Sequence, residues 1–234
     1  MQIIKEVCVD SLFDAVEAEK NGANRIELCS RLDLDGLTPS KSLIQNVLSK
    51  IHIPVRIMIR PHPNGFIYNK NDINEMYEDI KFCKSLKVDG IVSGCLDINN
   101  ELDIDQISDL AALAKPLKFI VHKAIDHSNS VIKSFEKIIL NPNINGVLSS
   151  GGKQFALDGF KYLKKMLDLA PDNFEVISAG GITHENFKNI HSKLNGKFYH
   201  GKKIIKFYYY GKQHTTKSKN FFRTSCRFIC IIFY

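Results

Sequence analysis

Polar and apolar residues alternate along two short segments near the start of the chain, Glu6-Val7-Cys8-Val9-Asp10 and Arg25-Ile26-Glu27-Leu28-Cys29. Side chains alternate faces along a strand. Val7 and Val9 therefore share one face, as do Ile26 and Leu28, while acids, a base and two thiols occupy the other. Between the two segments, Leu12, Ala15, Val16 and Ala18 fall at helical spacing, and Asn21-Gly22 stops the run. A strand–helix–strand unit of this length implies parallel strands. If its helix covers the apolar face, the polar face lines an interior.

The pattern then repeats. Strand-like segments are expected at 55–60, 90–97, 117–126, 146–150, 174–179 and 197–200, and helices at 42–50, 72–86, 105–114, 131–140, 154–169 and 184–194. Helix-start residues stand at Ser40, Asp72, Asp105 and Thr183, and Pro54, Pro116 and Pro142 fall in connections. Eight strands alternating with seven helices predict an α/β fold, a (β/α)8 TIM-type barrel over residues 1–204, with a doubly wound open sheet as the alternative. An open sheet covered on both faces would be apolar on both. Here Arg56, Met58 and Arg60 alternate with Val55, Ile57 and Ile59; Ser93, Cys95 and Asp97 share a face, as do Ile120, His122, Ala124 and Asp126. Such a face reads as the lumen of a barrel. Sites in these barrels gather at the C-terminal strand ends, where Asp10, Cys29, Arg60, Asp97, Asp126, Ser149, Ser150 and His200 fall.

Charge changes the picture only at the end of the chain. The formal net charge is +7, but residues 202–234 hold eight Lys/Arg and no acid. Taking these from the 32 basic residues leaves 24 against 25 acids, so the body is close to neutral. Residues 205–234 sustain no helical or strand period and read as an irregular basic and aromatic tail outside the core. Out-of-frame coding produces such a composition; a nucleic-acid or membrane-surface arm is the other reading. Nucleic-acid binding by the body is not expected. No apolar run approaches the roughly 18–20 residues of a membrane span. With no signal-peptide pattern at the start, a cytoplasmic location is expected, and the six cysteines (8, 29, 83, 95, 226, 230) are expected to be reduced.

Several of these segments together resemble a known family. Asn21-Gly22-Ala23-Asn24-Arg25-Ile26-Glu27-Leu28-Cys29, followed by Gly36-Leu37-Thr38-Pro39-Ser40, is similar to the signature of the CutC copper-homeostasis proteins. So are Ile59-Arg60-Pro61, Gly90-Ile91-Val92-Ser93-Gly94-Cys95-Leu96-Asp97, His122-Lys123-Ala124-Ile125-Asp126, Leu148-Ser149-Ser150-Gly151-Gly152, Ser178-Ala179-Gly180-Gly181-Ile182 and Tyr199-His200-Gly201. The resemblance spans residues 1 to about 204 and implies a TIM barrel, a cytoplasmic location and a homo-oligomer. It departs at Lys123, where the family pattern usually has Arg, and beyond strand eight, where the family's segment gives way to the tail.

Two chemistries follow. Cys8 and Cys29 share the inward face of adjacent strands, about 4.8 Å apart, and soft thiolates suit Cu(I). Two sulfurs so placed are expected to hold one copper ion nearly linearly. The resemblance implies the same pair, which matches the family's proposed copper-binding positions. Met58, Cys95 and His200 are further candidate ligands; Cys83 is expected in the core. Simple packing of buried thiols is the plain alternative. The second chemistry is a pocket for a small anionic ligand, in which Glu27, Arg60, Asp97, His122 and Asp126 converge for acid–base work on a phosphorylated or carboxylated metabolite. Turns at Ser149, Ser150, Gly151, Gly180 and Gly181 would offer backbone amides to an anion. A structural network of ion pairs is the alternative there. No reaction is assignable from the sequence.

Overall fold

Eight parallel strands close into a barrel in sequence order, β1 (Ile4–Val9), β2 (Arg25–Leu28), β3 (Val55–Met58), β4 (Gly90–Ser93), β5 (Lys118–Val121), β6 (Gly146–Ser149), β7 (Glu175–Ser178) and β8 (Phe198–His200), with β8 pairing back onto β1. The structure, a computed structural model, describes residues 2–208. Seven helices connect the strands: α1 (Leu12–Lys20), α2 (Lys41–Leu48), α3 (Lys70–Ser85), α4 (Ile104–Ala114), α5 (Val131–Ile138), α6 (Phe160–Leu169) and α7 (Phe187–Leu194). The barrel is the one that the alternation predicts, not the open sheet. Among the described residues, no helix is long and apolar enough to cross a membrane.

Capping explains where the helices begin. Ser40 accepts from the Leu43 amide at the start of α2. Helix α3 begins at Lys70, two residues before Asp72, because Asn69 caps it and Asp72 accepts in return from the Asn69 amide. Asp103, not Asp105, caps α4. Helix α6 starts at Phe160 rather than near 154, since the preceding segment bonds to the turn after β7, Ala156 N–H donating to Gly180 O.

Val7, Ile26, Ile57, Ile91, Phe119 and Val147 point outward into a core shared with the helices. A separate apolar layer inside the barrel holds Cys8, Cys29, Met58, Val92, Ile120, Leu148 and Ile177. The register Met58↔Val92 puts these two neighbours on the same side, which reverses the predicted phase of β4. Ser93 therefore faces away from the lumen and donates to Ile59 O at 2.8 Å, while Cys95 packs in the outer core. Beyond the strands, Ile204 and Ile205 are buried and Phe207 packs on the core, so the folded body continues past 204. Cys226, Cys230 and most of the predicted tail lie outside the described residues.

The N-terminal end of the lumen is plugged by charge. Arg56, which is 0% exposed, donates to both oxygens of Glu175 (2.9 and 3.0 Å) and to Asp89 (2.9 Å). Arg25 bridges Glu6 and Glu175, and Lys118 reaches Glu175 at 3.1 Å. Gly146 makes room there, since a Cβ would stand 2.6 Å from Glu175 O and 3.0 Å from Ile120 Cδ1. Burial pushes the Glu175 carboxyl up, but Arg56, Arg25 and Lys118 outweigh it and hold it below the usual range. Removing one partner of such a network strands the others. Arg56→Ala is therefore expected to lower unfolding free energy by about 3–5 kcal/mol, measured by urea denaturation; a loss under about 1 kcal/mol, the scale of an exposed pair, would show that the plug does not hold the barrel.

Candidate functional site at the barrel mouth

Above the apolar layer, the C-terminal strand ends open into a cavity of about 1060 Å³ whose wall includes Cys8, Glu27, Met58, His122 and His200. Cys8 and Glu27 are neighbours in register on β1 and β2. The Cys8 thiol lies 3.5 Å from Glu27 Oε1 and 3.5 Å from Cys29 Sγ, and the Cys29 thiol donates to Val9 O at 3.4 Å. Gly36, at φ +87°, lays its loop over this group: a Cβ there would stand 3.4 Å from Cys29 Sγ and 3.9 Å from Met58 Cε. Cys29 and Met58 thus both pack against this loop, and the Cys8 thiol lies against Cys29.

His200 joins from β8. Its Nδ1 donates to Glu6 Oε1 at 2.8 Å and stands 3.8 Å from Glu27 Oε2. Donor atoms of Cys8, Glu27 and His200 all lie within 4.8 Å of one another. Burial raises Glu6, but Arg25, His200 and Arg56 outweigh it and keep the carboxylate ionised. Glu27 is raised, chiefly by burial. The hydrogen bond with Cys29, burial and the Glu27 charge all push the Cys8 thiol up. Burial lowers His200, yet Glu27 and Glu6 raise it by more. Sequence reading marks Glu6 as inward but not as part of the site; its bond to His200 exists only because β8 closes onto β1.

The five-residue cluster expected from the sequence is not assembled. Glu27 and His122 line the cavity, but Asp97 does not: β4 ends at Ser93, and Asp97 accepts from the amides of Asn99 and Glu101 in the following loop. Asp126, in a 3-10 turn at Lys123–His127, accepts from Ser149 Oγ, from the amide and hydroxyl of Ser150 and from the Gly152 amide. The protein's own carboxylate therefore occupies the turn that was expected to cradle an anion at Ser149, Ser150 and Gly151. Arg60 lines the cavity but spends its guanidinium on backbone carbonyls of Leu34, Gly36 and Pro63 (3.0, 3.2 and 3.3 Å) and packs over Phe66. It makes no ion pair with Glu27, Asp97 or Asp126 among the described residues. Gly180 and Gly181 line the cavity at φ +101° and +67°. Cys83 is a core residue of α3, its thiol pushed up to about 12 by burial.

Comparison with known proteins agrees with this architecture. The CutC family pattern matches residues 3–205. A mouse copper homeostasis protein cutC homolog is 38% identical over 187 residues, covering 80% of this chain and 68% of the mouse protein. A CutC family protein of Aliivibrio fischeri is 37% identical over 202 residues, covering 86% and 81% of the two chains. The crystal structure of a CutC protein from Streptococcus agalactiae superposes with a TM-score of 0.80 at 30% identity, covering 87% of this chain and all of that one.

His122 is 3% exposed, and its Nδ1 accepts from the Ala124 amide at 3.2 Å, so Nε2 carries the proton. That Nε2 has no hydrogen-bond partner among the described residues. Burial, with the Arg60 charge adding to it, lowers His122 to about 3. An unfolded histidine takes up its proton near 6.5, while the folded one stays neutral down to about 3. The contribution of His122 to stability is therefore complete above pH about 6.5 and falls as the pH drops toward 3. Ring 15N NMR is expected to show a neutral Nε2–H imidazole at pH 5; a folded-state midpoint near 6.5 would contradict this placement.

Proposed function

We propose that this chain, which belongs to the CutC family, serves copper homeostasis by binding Cu(I) through Cys8 and Cys29 inside the barrel. The observation that carries this reading is the buried thiol pair, 3.5 Å apart, of which Cys8 lines the open cavity together with Met58. Cu(I) favours thiolate and thioether sulfur, and a thiol pair without a disulfide suits a reducing cytoplasm. The fit differs from the linear bridge expected from strand spacing. Two metal–sulfur bonds of about 2.3 Å, the zinc value, span about 4.6 Å end to end. A 3.5 Å separation favours a bent bridge, with room for Met58 as a further sulfur. A cytoplasmic location and a homo-oligomer complete the proposal on family resemblance alone.

A second reading, an enzyme acting on a small phosphorylated or carboxylated metabolite, draws its support from His122. A buried neutral N–H donor without a protein acceptor, in the wall of a 1060 Å³ cavity, suits an anionic oxygen of a ligand. The Gly180-Gly181 turn is the part of the expected anion cradle that Asp126 leaves untouched.

Anaerobic Cu(I) titration against a competing chelator tests the copper reading. The parent is expected to take one Cu(I) per chain, and Cys8→Ser or Cys29→Ser to weaken binding more than ~100-fold, above the 10–100-fold seen when only a supporting residue is lost. Equal binding by the parent and the double variant would remove the thiol site.

A further inference from the structure

We infer that Cys8, Glu27 and His200 form a second metal face of the same wall, one that takes a borderline divalent cation of the zinc class with one side open to the cavity. The inference shares Cys8 with the copper reading but rests on Glu27 and His200, so the two stand or fall separately.

Three observations point to a cation here. The donor atoms lie within 4.8 Å of one another, and Cys29 is not among them. Glu27 is 2% exposed, yet its Oε2 accepts no hydrogen bond among the described residues. A buried carboxylate oxygen left without a donor is costly, and a cation is the partner that would satisfy it. The third observation is the support behind the histidine. Glu6, itself paired with Arg25, accepts from His200 Nδ1 at 2.8 Å, which fixes the ring and leaves Nε2 without a hydrogen bond among the described residues. A carboxylate behind a histidine in this way is the usual companion of a metal-bound imidazole.

The donor chemistry selects the cation. One thiolate, one imidazole and one carboxylate make a mixed set, too hard for Cu(I) to prefer over paired sulfurs and too soft for Mg²⁺ or Ca²⁺, which take oxygen. Zn²⁺ accepts all three donor types. Binding would release the Cys8 thiol proton to solvent, as metal binding to thiols does. Three protein donors with the remaining side facing a cavity is the plan of a zinc site that works on a substrate, whereas structural sites are closed by four. Cys8 is thus shared by two donor sets, a sulfur set with Cys29 and Met58 and a mixed set with Glu27 and His200.

Anaerobic titration of the full chain with Co²⁺, the spectroscopic stand-in for zinc, tests this. The parent and Cys29→Ser are expected to bind one Co²⁺ with a thiolate-to-metal charge-transfer band that excess Zn²⁺ abolishes. Glu27→Gln, nearly isosteric, and His200→Gln should each weaken Co²⁺ at least about tenfold, with the circular dichroism of the parent and with Cu(I) binding kept. Absence of the band in the parent would overturn the inference. So would unchanged affinity in both Glu27→Gln and His200→Gln, or loss in Cys29→Ser as great as theirs. Co²⁺ binding in a parent that fails to take Cu(I) would leave this inference standing and remove the copper reading.

Discussion

A guanidinium buried at one end of the lumen governs this molecule. Arg56 reaches from β3 to Glu175 on β7 and to Asp89 before β4, and Arg25 draws β1 and β2 into the same knot through Glu6. Strands of only three to six residues offer few ladder bonds each, so closure depends on what fills the lumen. Charge can fill it because every acid faces a base; an unpaired charge in that position would be driven out or neutralised. The apolar layer of Val92, Ile120, Leu148 and Ile177 sits above this knot, and the cavity at the upper end is where Cys8, Glu27 and His200 gather.

Glu6 ties the two ends together. One of its oxygens accepts from Arg25 in the plug and the other from His200 at the mouth. Because the plug holds Glu6 ionised, His200 is oriented without help from a flexible loop. Cys8 gains its placement from the register of β1 against β2, and Cys29 from the bond of its amide to Val9 O just past β2. A site built on rigid strands in this manner holds its donors close whether or not a ligand is present, which is the arrangement that binding without large reorganisation requires.

Much of this was legible in the residues themselves. Alternation along β1, β2 and β3 is unbroken, so the inward positions of Glu6, Cys8, Glu27, Arg56 and Met58 follow from a period of two. Strand β4 defeats the same reasoning because Gly90 and Gly94 carry no side chain, and polarity at Ser93, Cys95 and Asp97 suggests the wrong phase. The converging cluster failed for a different reason. The acceptors of Arg60 are backbone carbonyls, and the donors to Asp126 are amides and hydroxyls of the next βα turn. Backbone groups are present at every residue, so no pattern of residue types announces them. Glu6 and His200 lie 194 positions apart and meet only on closure of the barrel.

The central claim, that the paired thiols of the barrel wall are where copper sits, is tested most directly by X-ray absorption at the copper edge on the full chain loaded anaerobically with one equivalent of Cu(I). Sulfur should dominate the nearest neighbours of the metal in the parent and be replaced by oxygen and nitrogen in the Cys8→Ser/Cys29→Ser variant. A parent spectrum with oxygen and nitrogen neighbours and no sulfur would contradict the account.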